Sequence, residues 1–274
     1  MLAQHGFDVL VLDRGKAGRE ASWAGGGILA PLRPWDYPEP VWALCDRSRR
    51  LYPQLSLALR AESGVDPQCL NSGAVLVGAG SDERQRALDW HAAQQLDCAL
   101  NEVGNLEMPW VHQVRNPRLC RALVAGLRRV GIRVIEHCPA VSTLRQDGRV
   151  IGVSTPLGPF MAPQVVIAAG AWSAGLSVTP LPVKPVRGQM LLLQSRHEMK
   201  PAIYLLPRSY VIVRADGAVL TGSTMEDAGY SKSVTVGARV MLAAEAVRYL
   251  PELDGCGIVR QWSGLRPGSP DGIP

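Results

Sequence analysis

Apolar and polar positions alternate along the chain with two different periods, which separate its strands from its helices. Near the start, the apolar run at 7–12 is typical of a buried strand of a parallel sheet, and Asp13 follows at its carboxyl end. In a dinucleotide-binding unit, an acidic residue in this position bonds a ribose hydroxyl. The opening of the chain therefore predicts part of such a unit.

Further along, the two periods predict a series of helices and strands. We expect helices at 41–63, 81–96, 116–130 and 236–250. We expect strands at 73–78, 133–137, 141–144, 150–154, 164–168, 187–194, 202–206, 210–214, 219–224 and 257–262. Ser81 and Asn116 are predicted to cap two of the helices, and Asp147-Gly148 to turn between two strands.

The order of these elements indicates an α/β fold that is α+β in part. A Rossmann-like dinucleotide-binding domain is predicted at 1–75, 115–180 and 255–274, and a mainly antiparallel-sheet substrate domain at 76–114 and 181–254. The first strand and the Gly-x-Gly-x-x-Gly loop of such a unit are expected upstream of Met1. The dinucleotide-binding domain is therefore expected to be incomplete.

Three neighbouring glycines form a second candidate for ligand contact. Residues 25–30 fit Gly-x-Gly-x-x-Ala, but no strand precedes them, and Pro31 and Pro34 prevent a helix from following. We interpret the segment as a loop whose backbone approaches a flat ligand, since glycine has no Cβ to obstruct it. A flexible surface loop is the alternative.

Composition narrows the possible functions. Although 29 Lys+Arg against 24 Asp+Glu give a net charge of +5, the arginines are scattered and only two phenylalanines could stack on bases, so we expect no nucleic-acid partner. The six cysteines form no Cys-x-x-Cys pair, which favours reduced thiols in the cytoplasm and no metal site. Five prolines interrupt the uncharged stretch at 150–183, so a membrane span is not expected.

Several short segments together resemble the glycine oxidases of the D-amino-acid-oxidase-like flavoproteins. They are Asp-Arg-Gly at 13–15, Glu-Ala-Ser-Trp-Ala-Gly-Gly-Gly-Ile-Leu at 20–29, Val-Val-Ile-Ala-Ala-Gly-Ala-Trp-Ser at 165–173, Pro-Val-Arg-Gly-Gln at 185–189, Tyr-Leu-Leu-Pro-Arg at 204–208, Gly-Ser-Thr-Met-Glu-Asp at 222–227 and Trp-Ser-Gly-Leu-Arg-Pro at 262–267. They extend over essentially the whole chain. The chain lacks the Gly-rich phosphate loop and the C-terminal segment of that family, so residues 1–274 are expected to bind FAD weakly or not at all.

The resemblance implies FAD as cofactor and assigns residues to it. Asp13 is implied to bond the adenosine ribose with Arg14 beside it, and Val141 to contact the adenine portion through its backbone. The residues implied to follow the pyrophosphate and isoalloxazine are Ala21, Ser22, Gly26, Gly27 and Ile28. For Val141, an ordinary strand position is the alternative.

The resemblance also implies three residues near the substrate. Arg266 matches an arginine that holds the substrate carboxylate, which a guanidinium can do with two parallel charge-assisted bonds. Tyr204 matches an active-site tyrosine, and Met225 a residue beside the substrate. The alternatives are a solvated loop arginine, a half-buried strand tyrosine and a packing methionine.

The implied reaction is FAD-dependent oxidative deamination of glycine or a related small amino acid. Water and molecular oxygen are the other substrates, and the products are a 2-oxo acid, ammonia and hydrogen peroxide. The resemblance extends to a place in thiamine biosynthesis. A homo-oligomer is expected. The alternatives are an oxidase for sarcosine or D-amino acids, and a non-catalytic truncated flavoprotein domain that holds no flavin.

Overall fold

The largest element is an eight-stranded sheet, seen in a computed structural model that describes residues 2–273. The helices are α1 (Ala21–Ala24), α2 (Glu39–Ser63), α3 (Ser81–Gln94), α4 (Asn116–Arg129) and α5 (Val236–Tyr249). Short 3-10 helices lie at Ala3–His5, Pro34–Asp36, Gly170–Gly175 and Pro251–Leu253.

Most strands are short, and the two longest belong to the large sheet. They are β1 (Leu10–Leu12), β2 (Leu70–Asn71), β3 (Ala74–Leu76), β4 (Ala99–Leu100), β5 (Leu106–Met108), β6 (His112–Gln113), β7 (Arg133–Ile135), β8 (Ser142–Gln146), β9 (Arg149–Thr155), β10 (Gly158–Met161), β11 (Lys184–Gln194), β12 (Ala202–Leu205), β13 (Tyr210–Val213), β14 (Ala218–Gly222) and β15 (Gly257–Gly268).

The large sheet has the order β15-β11-β14-β13-β12-β3-β5-β4. Its neighbouring strands are antiparallel except for the parallel pair of β12 and β3. The strand β15 pairs with β11 along its length, from Lys184 opposite Gly268 to Gln194 opposite Gly257. The mixed α/β fold class is thereby confirmed, and the division into two domains stays a prediction.

Within residues 2–273, the remaining strands form three smaller sheets. The strand β1 pairs in parallel with β7, as expected for a dinucleotide-binding unit. The strands β8, β9 and β10 form an antiparallel sheet. The turn between β8 and β9 has positive φ at Asp147 (50°) and Gly148 (79°), as the Asp-Gly pair predicted.

Three sequence predictions differ from the structure. Residues 164–168 form no strand, because no backbone hydrogen bond joins them to a neighbouring strand within residues 2–273. Ser81 is already the first helical residue of α3, so Gly80 is the N-cap. Arg115 is the N-cap of α4, and the Asn116 side chain faces the glycine loop at 25–27 instead.

The large sheet is covered on both faces because its strands alternate apolar residues between them. One face buries a cluster around Leu76, Ile203 and Ile212, against α3 and the segment at 28–35. The opposite face packs Leu191, Val211 and other apolar residues against α5. Among residues 2–273, no helix combines the length and apolar character that crossing a membrane requires.

Candidate active site

Arg266 lies on the face of the large sheet that carries the first cluster. Its guanidinium covers Gly188 of the neighbouring strand, where a Cβ would lie 2.6 Å from the Arg266 Cζ atom. Arg266 Nη1 donates to the Thr224 carbonyl at 3.1 Å, and Nη2 donates to the Ser223 hydroxyl. A side chain at position 188 would therefore displace the guanidinium.

The acceptors that hold Arg266 are neutral. No carboxylate of residues 2–273 forms an ion pair with it, and its side chain is only partly buried. The guanidinium therefore keeps its charge and its remaining N–H groups for an anionic partner. A carboxylate is the anion that best matches its planar geometry.

Tyr210, which the sequence analysis did not select, lies beside Arg266. It is buried, and its hydroxyl donates to the Met190 Sδ atom at 3.3 Å. Burial raises the pKa of Tyr210, while a hydrogen bond from Ser223 and the charge of Arg266 act in the opposite direction. The phenol is therefore protonated at neutral pH.

Tyr204 lies on the other face of the sheet, contrary to the placement that the resemblance implied. In the pairing of β12 with β13, Tyr204 is opposite Val211, whereas Leu205 is opposite Tyr210. Because side chains alternate along a strand, Tyr204 packs with the cluster on the α5 face. The structure does not bring Tyr204 to Arg266, and the tyrosine that it brings there is Tyr210. The alternation at 204–213 is the pattern that could have distinguished them.

Met225 is near the site along the chain but does not enter it. It is 80% exposed and lies between Thr224, whose carbonyl holds Arg266, and Glu226. The side chain therefore projects into solvent, and packing does not explain the residue.

The loop at 25–27 is pressed against the same sheet face. A Cβ at Gly26 would lie 2.8 Å from the Ile212 Cδ1 atom and 2.9 Å from the Tyr210 ring. At Gly27, φ is 84° and a Cβ would collide with the Val114 carbonyl. The missing Cβ atoms thus serve contacts within the protein itself, and Arg214 Nη2 also donates to the Gly26 carbonyl at 2.5 Å.

The other residues assigned to the isoalloxazine side adjoin this loop. Ala21 and Ser22 belong to α1, which contacts β15 where Gly264 leaves space for the Ala24 side chain. Trp262 Nε1 donates to the Ala24 carbonyl at 2.9 Å, and Ile28 packs against the first cluster. The structure therefore brings α1, the glycine loop, Tyr210 and Arg266 to one sheet face.

Asp13 and the residues around it form a separate part of the candidate site. Asp13 Oδ1 accepts from the Gly15 amide at 2.8 Å, and the Asp13 carbonyl accepts from the Cys138 amide at 2.8 Å. The other carboxylate oxygen has no partner among the described residues. It is free to accept a hydrogen bond from a ribose hydroxyl, so this end of β1 fits the adenosine part of FAD.

Arg14 and Val141, the other two residues assigned to the adenosine part of FAD, have different surroundings. The Arg14 guanidinium lies 3.8 Å from the ring centre of Trp172, which in turn stacks on Tyr230. The Val141 side chain is exposed, and its amide donates to the Ser154 carbonyl at 2.8 Å. A backbone contact from Val141 to the adenine portion of FAD would use its carbonyl, because the amide is already bonded.

Comparison with known proteins shows which family the chain belongs to. A family model described as "FAD dependent oxidoreductase" matches residues 1–274. Glycine oxidase of Pseudomonas putida is 42% identical over 285 residues, 97% of this chain and 78% of the relative. Glycine oxidase of Pseudomonas aeruginosa is 40% identical over 295 residues, 100% of this chain and 80% of the relative.

The solved structures show the same fold. The crystal structure of glycine oxidase from Geobacillus kaustophilus has a TM-score of 0.89 at 25% identity, over 97% of this chain and 78% of that one. The chain belongs to the DAO family of FAD-dependent oxidoreductases. FAD is its cofactor, and the predicted enzyme class is confirmed.

Proposed function

We propose that the chain catalyses the FAD-dependent oxidative deamination of glycine or a related small amino acid. The amino acid, water and molecular oxygen are consumed, and the products are a 2-oxo acid, ammonia and hydrogen peroxide. The observation that supports this most directly is the guanidinium of Arg266, which is held by neutral acceptors beside Tyr210. The names of the two Pseudomonas relatives point to glycine.

In this proposal, the protein binds and orients the substrate. Arg266 holds the carboxylate through two charge-assisted hydrogen bonds, which fixes the direction of the α-hydrogen. Tyr210 offers a neutral hydroxyl to the carboxylate or the amine, in place of Tyr204. The chemistry that FAD would supply when bound is acceptance of a hydride and transfer of its electrons to oxygen.

Two groups of residues would hold FAD: those around Asp13, and those of α1 and the glycine loop. Asp13 would accept from the ribose, with Arg14 and the Val141 backbone near the adenosine. The residues proposed for the isoalloxazine and pyrophosphate side are Ala21, Ser22, Gly26, Gly27 and Ile28. Met225 is retained only as a solvent-facing neighbour of the substrate.

The pathway, the cellular location and the oligomeric state are also proposals. A relative from Synechocystis named "Bifunctional protein ThiO/ThiG" is 32% identical over 285 residues, which supports a role in thiamine biosynthesis. We propose a cytoplasmic location and a homo-oligomer.

The test is direct. Protein kept at saturating FAD should release hydrogen peroxide and ammonia when glycine is added. A titration followed by flavin fluorescence tests the expected weak binding of FAD, which stoichiometric binding at submicromolar FAD would contradict. Turnover of sarcosine or D-proline without turnover of glycine would replace glycine as the substrate. A folded protein that remains colourless and releases no peroxide would instead support the non-catalytic domain.

A further inference from the structure

A polar network lies on the sheet face opposite Arg266, and Glu226 is at its centre. Glu226 Oε2 accepts from Arg187 Nη2 at 2.5 Å, while Oε1 accepts from Gln189 Nε2 at 2.8 Å and from the Thr224 hydroxyl at 2.5 Å. Arg187, Gln189 and Thr224 are all buried. Burial disfavours the charged form of Glu226, but hydrogen bonds from Thr224, Arg187 and Gln189 outweigh it and lower its pKa.

Backbone contacts extend this network into the segment that holds Arg266. The amides of Arg187 and Glu226 exchange hydrogen bonds with each other's carbonyls at 2.9 and 3.0 Å. The Gln189 amide donates to the Thr224 hydroxyl at 2.9 Å. Residues 223–226 are thus fastened to β11 by their side chains as well as by their backbone.

Thr224 connects the two faces of the sheet. Its hydroxyl points to Glu226, whereas its carbonyl accepts from Arg266 Nη1 at 3.1 Å. Ser223, the preceding residue, accepts from Arg266 Nη2. Any movement of this dipeptide therefore changes the position of the guanidinium.

The charges of the network explain why it can position Arg266 without neutralising it. Arg187 pairs with Glu226, so the network has no net charge, and the carboxylate does not reach Arg266. A carboxylate placed directly on Arg266 would compete with a substrate carboxylate for the same N–H groups. The Thr224 carbonyl and the Ser223 hydroxyl are neutral acceptors, and the Arg187–Glu226 ion pair lies on the other sheet face, so this competition does not arise.

We propose that Glu226 is a positioning residue that fixes the Arg266 guanidinium through Thr224 and Ser223. The proposal rests on the proposed function for its consequence in catalysis, but the position of the guanidinium can be measured without flavin. The Gln189 side chain has a supporting part, because its Oε1 atom accepts from the Thr235 amide at 2.8 Å and anchors the network to the start of α5.

The first experiment measures the guanidinium itself by NMR of the 274-residue protein. Hydrogen bonds at Nη1 and Nη2 slow rotation about the Cζ–Nη bonds, so separate Nη signals are expected for Arg266, assigned by their loss in Arg266→Lys. In Glu226→Ala these signals should average, and in Glu226→Gln they should broaden. Unchanged signals in both variants would overturn the proposal.

The second experiment measures kinetics of the flavin-loaded protein with glycine. Because a displaced Arg266 would hold the carboxylate less tightly and orient the α-hydrogen less well, Glu226→Ala should raise KM about tenfold and lower kcat by a smaller factor. Glu226→Gln, which keeps an acceptor for Thr224, should raise KM by a smaller factor. Equal losses of kcat and kcat/KM, or no change, would contradict the positioning role.

Glu83→Gln is the matched control. Glu83 is 26% exposed and pairs with Arg33 at 2.6 Å, much as Glu226, which is 27% exposed, pairs with Arg187. This variant should leave the Arg266 signals and the KM for glycine unchanged. If the unsubstituted protein releases no peroxide from glycine, the proposed function fails, while the NMR comparison still decides the role of Glu226. If Glu226→Ala does not fold, Glu226→Gln decides both measurements.

Discussion

At the scale of single residues, the proposed substrate site centres on a cation that has no ion-pair partner among the described residues. Arg266 is held by the Thr224 carbonyl and the Ser223 hydroxyl, and it covers Gly188, which has no side chain to obstruct it. Tyr210 adds a neutral phenol in the same place. The site is therefore prepared for an anion before any ligand arrives.

Replacing Arg266 by alanine should weaken carboxylate substrates far more than FAD. Loss of a charge-assisted hydrogen-bonded pair costs about 1.5 to 3 kcal/mol, which is roughly ten- to more than a hundredfold in kcat/KM for glycine. Peroxide release at varied glycine concentrations measures it. Arg239→Ala, at an exposed position of α5 on the opposite sheet face, is the control. Unchanged glycine kinetics in Arg266→Ala would remove Arg266 from the site.

Paired substitutions should separate the two tyrosines. In Tyr210→Phe, loss of the hydroxyl should lower kcat/KM for glycine about threefold to tenfold, because a net hydrogen bond contributes about 0.5 to 1.5 kcal/mol. Tyr204→Phe, on the opposite sheet face, should leave the kinetics unchanged. A larger effect at Tyr204 would restore the residue that the family resemblance implied.

At the scale of elements, the glycine loop shows how close packing restricts a sequence. Gly26 lies against Tyr210 and Ile212, and Gly27 has a left-handed backbone with the Val114 carbonyl in the space of a Cβ. The Val114 amide also donates to the Gly27 carbonyl at 2.8 Å. The loop is a rigid part of the sheet face, and the flexible surface loop is the wrong interpretation.

Gly27→Ala should destabilise the fold more than Gly6→Ala. Both glycines have φ of 84°, so the backbone strain of about 1 kcal/mol is common to them. Only position 27 adds a collision, since no atom of residues 2–273 lies within 4 Å of a Cβ at Gly6. In urea denaturation, Gly27→Ala should lower the free energy of unfolding by at least about 1 kcal/mol more than Gly6→Ala does. Equal decreases would show that the loop moves to accommodate the methyl group.

At the scale of the whole molecule, stability depends on pH through a histidine within an aromatic cluster. His91 is fully buried among the rings of Trp35, Trp90 and Trp110. Burial lowers its pKa below 6.5, although a hydrogen bond to the Ala87 carbonyl at 2.7 Å opposes the shift. The folded protein therefore holds the ring in its neutral form at neutral pH.

Acid should weaken the fold through His91. Below about pH 6.5 the unfolded chain binds a proton that folded His91 does not, so the free energy of unfolding falls as pH decreases towards the folded pKa, by at most about 1.36 kcal/mol per pH unit. Denaturation at pH 7 and pH 5 measures the slope. His91→Phe should reduce it, and the exposed His197→Gln should not; equal slopes in all three proteins would contradict the prediction.

The sequence by itself determined the features that depend on local order. The helical period and its terminal glycine located α2, the Asp-Gly pair located the turn after β8, and Asp13 fell at the end of a strand. The ordered segments at 13–15, 20–29 and 262–267 also determined the family and its cofactor. These follow from local propensity and from short runs of residues that one family shares.

Only the tertiary structure decided which side chains meet. The match to one segment selected Tyr204, but the alternation of β12 and β13 directs that residue away from Arg266 and directs Tyr210 towards it. Residues 164–168 had the apolar pattern of a strand, yet a strand needs a hydrogen-bonded neighbour, and the described chain supplies none. The free charge of Arg266 likewise depends on contacts with Ser223 and Thr224, more than forty residues away along the chain.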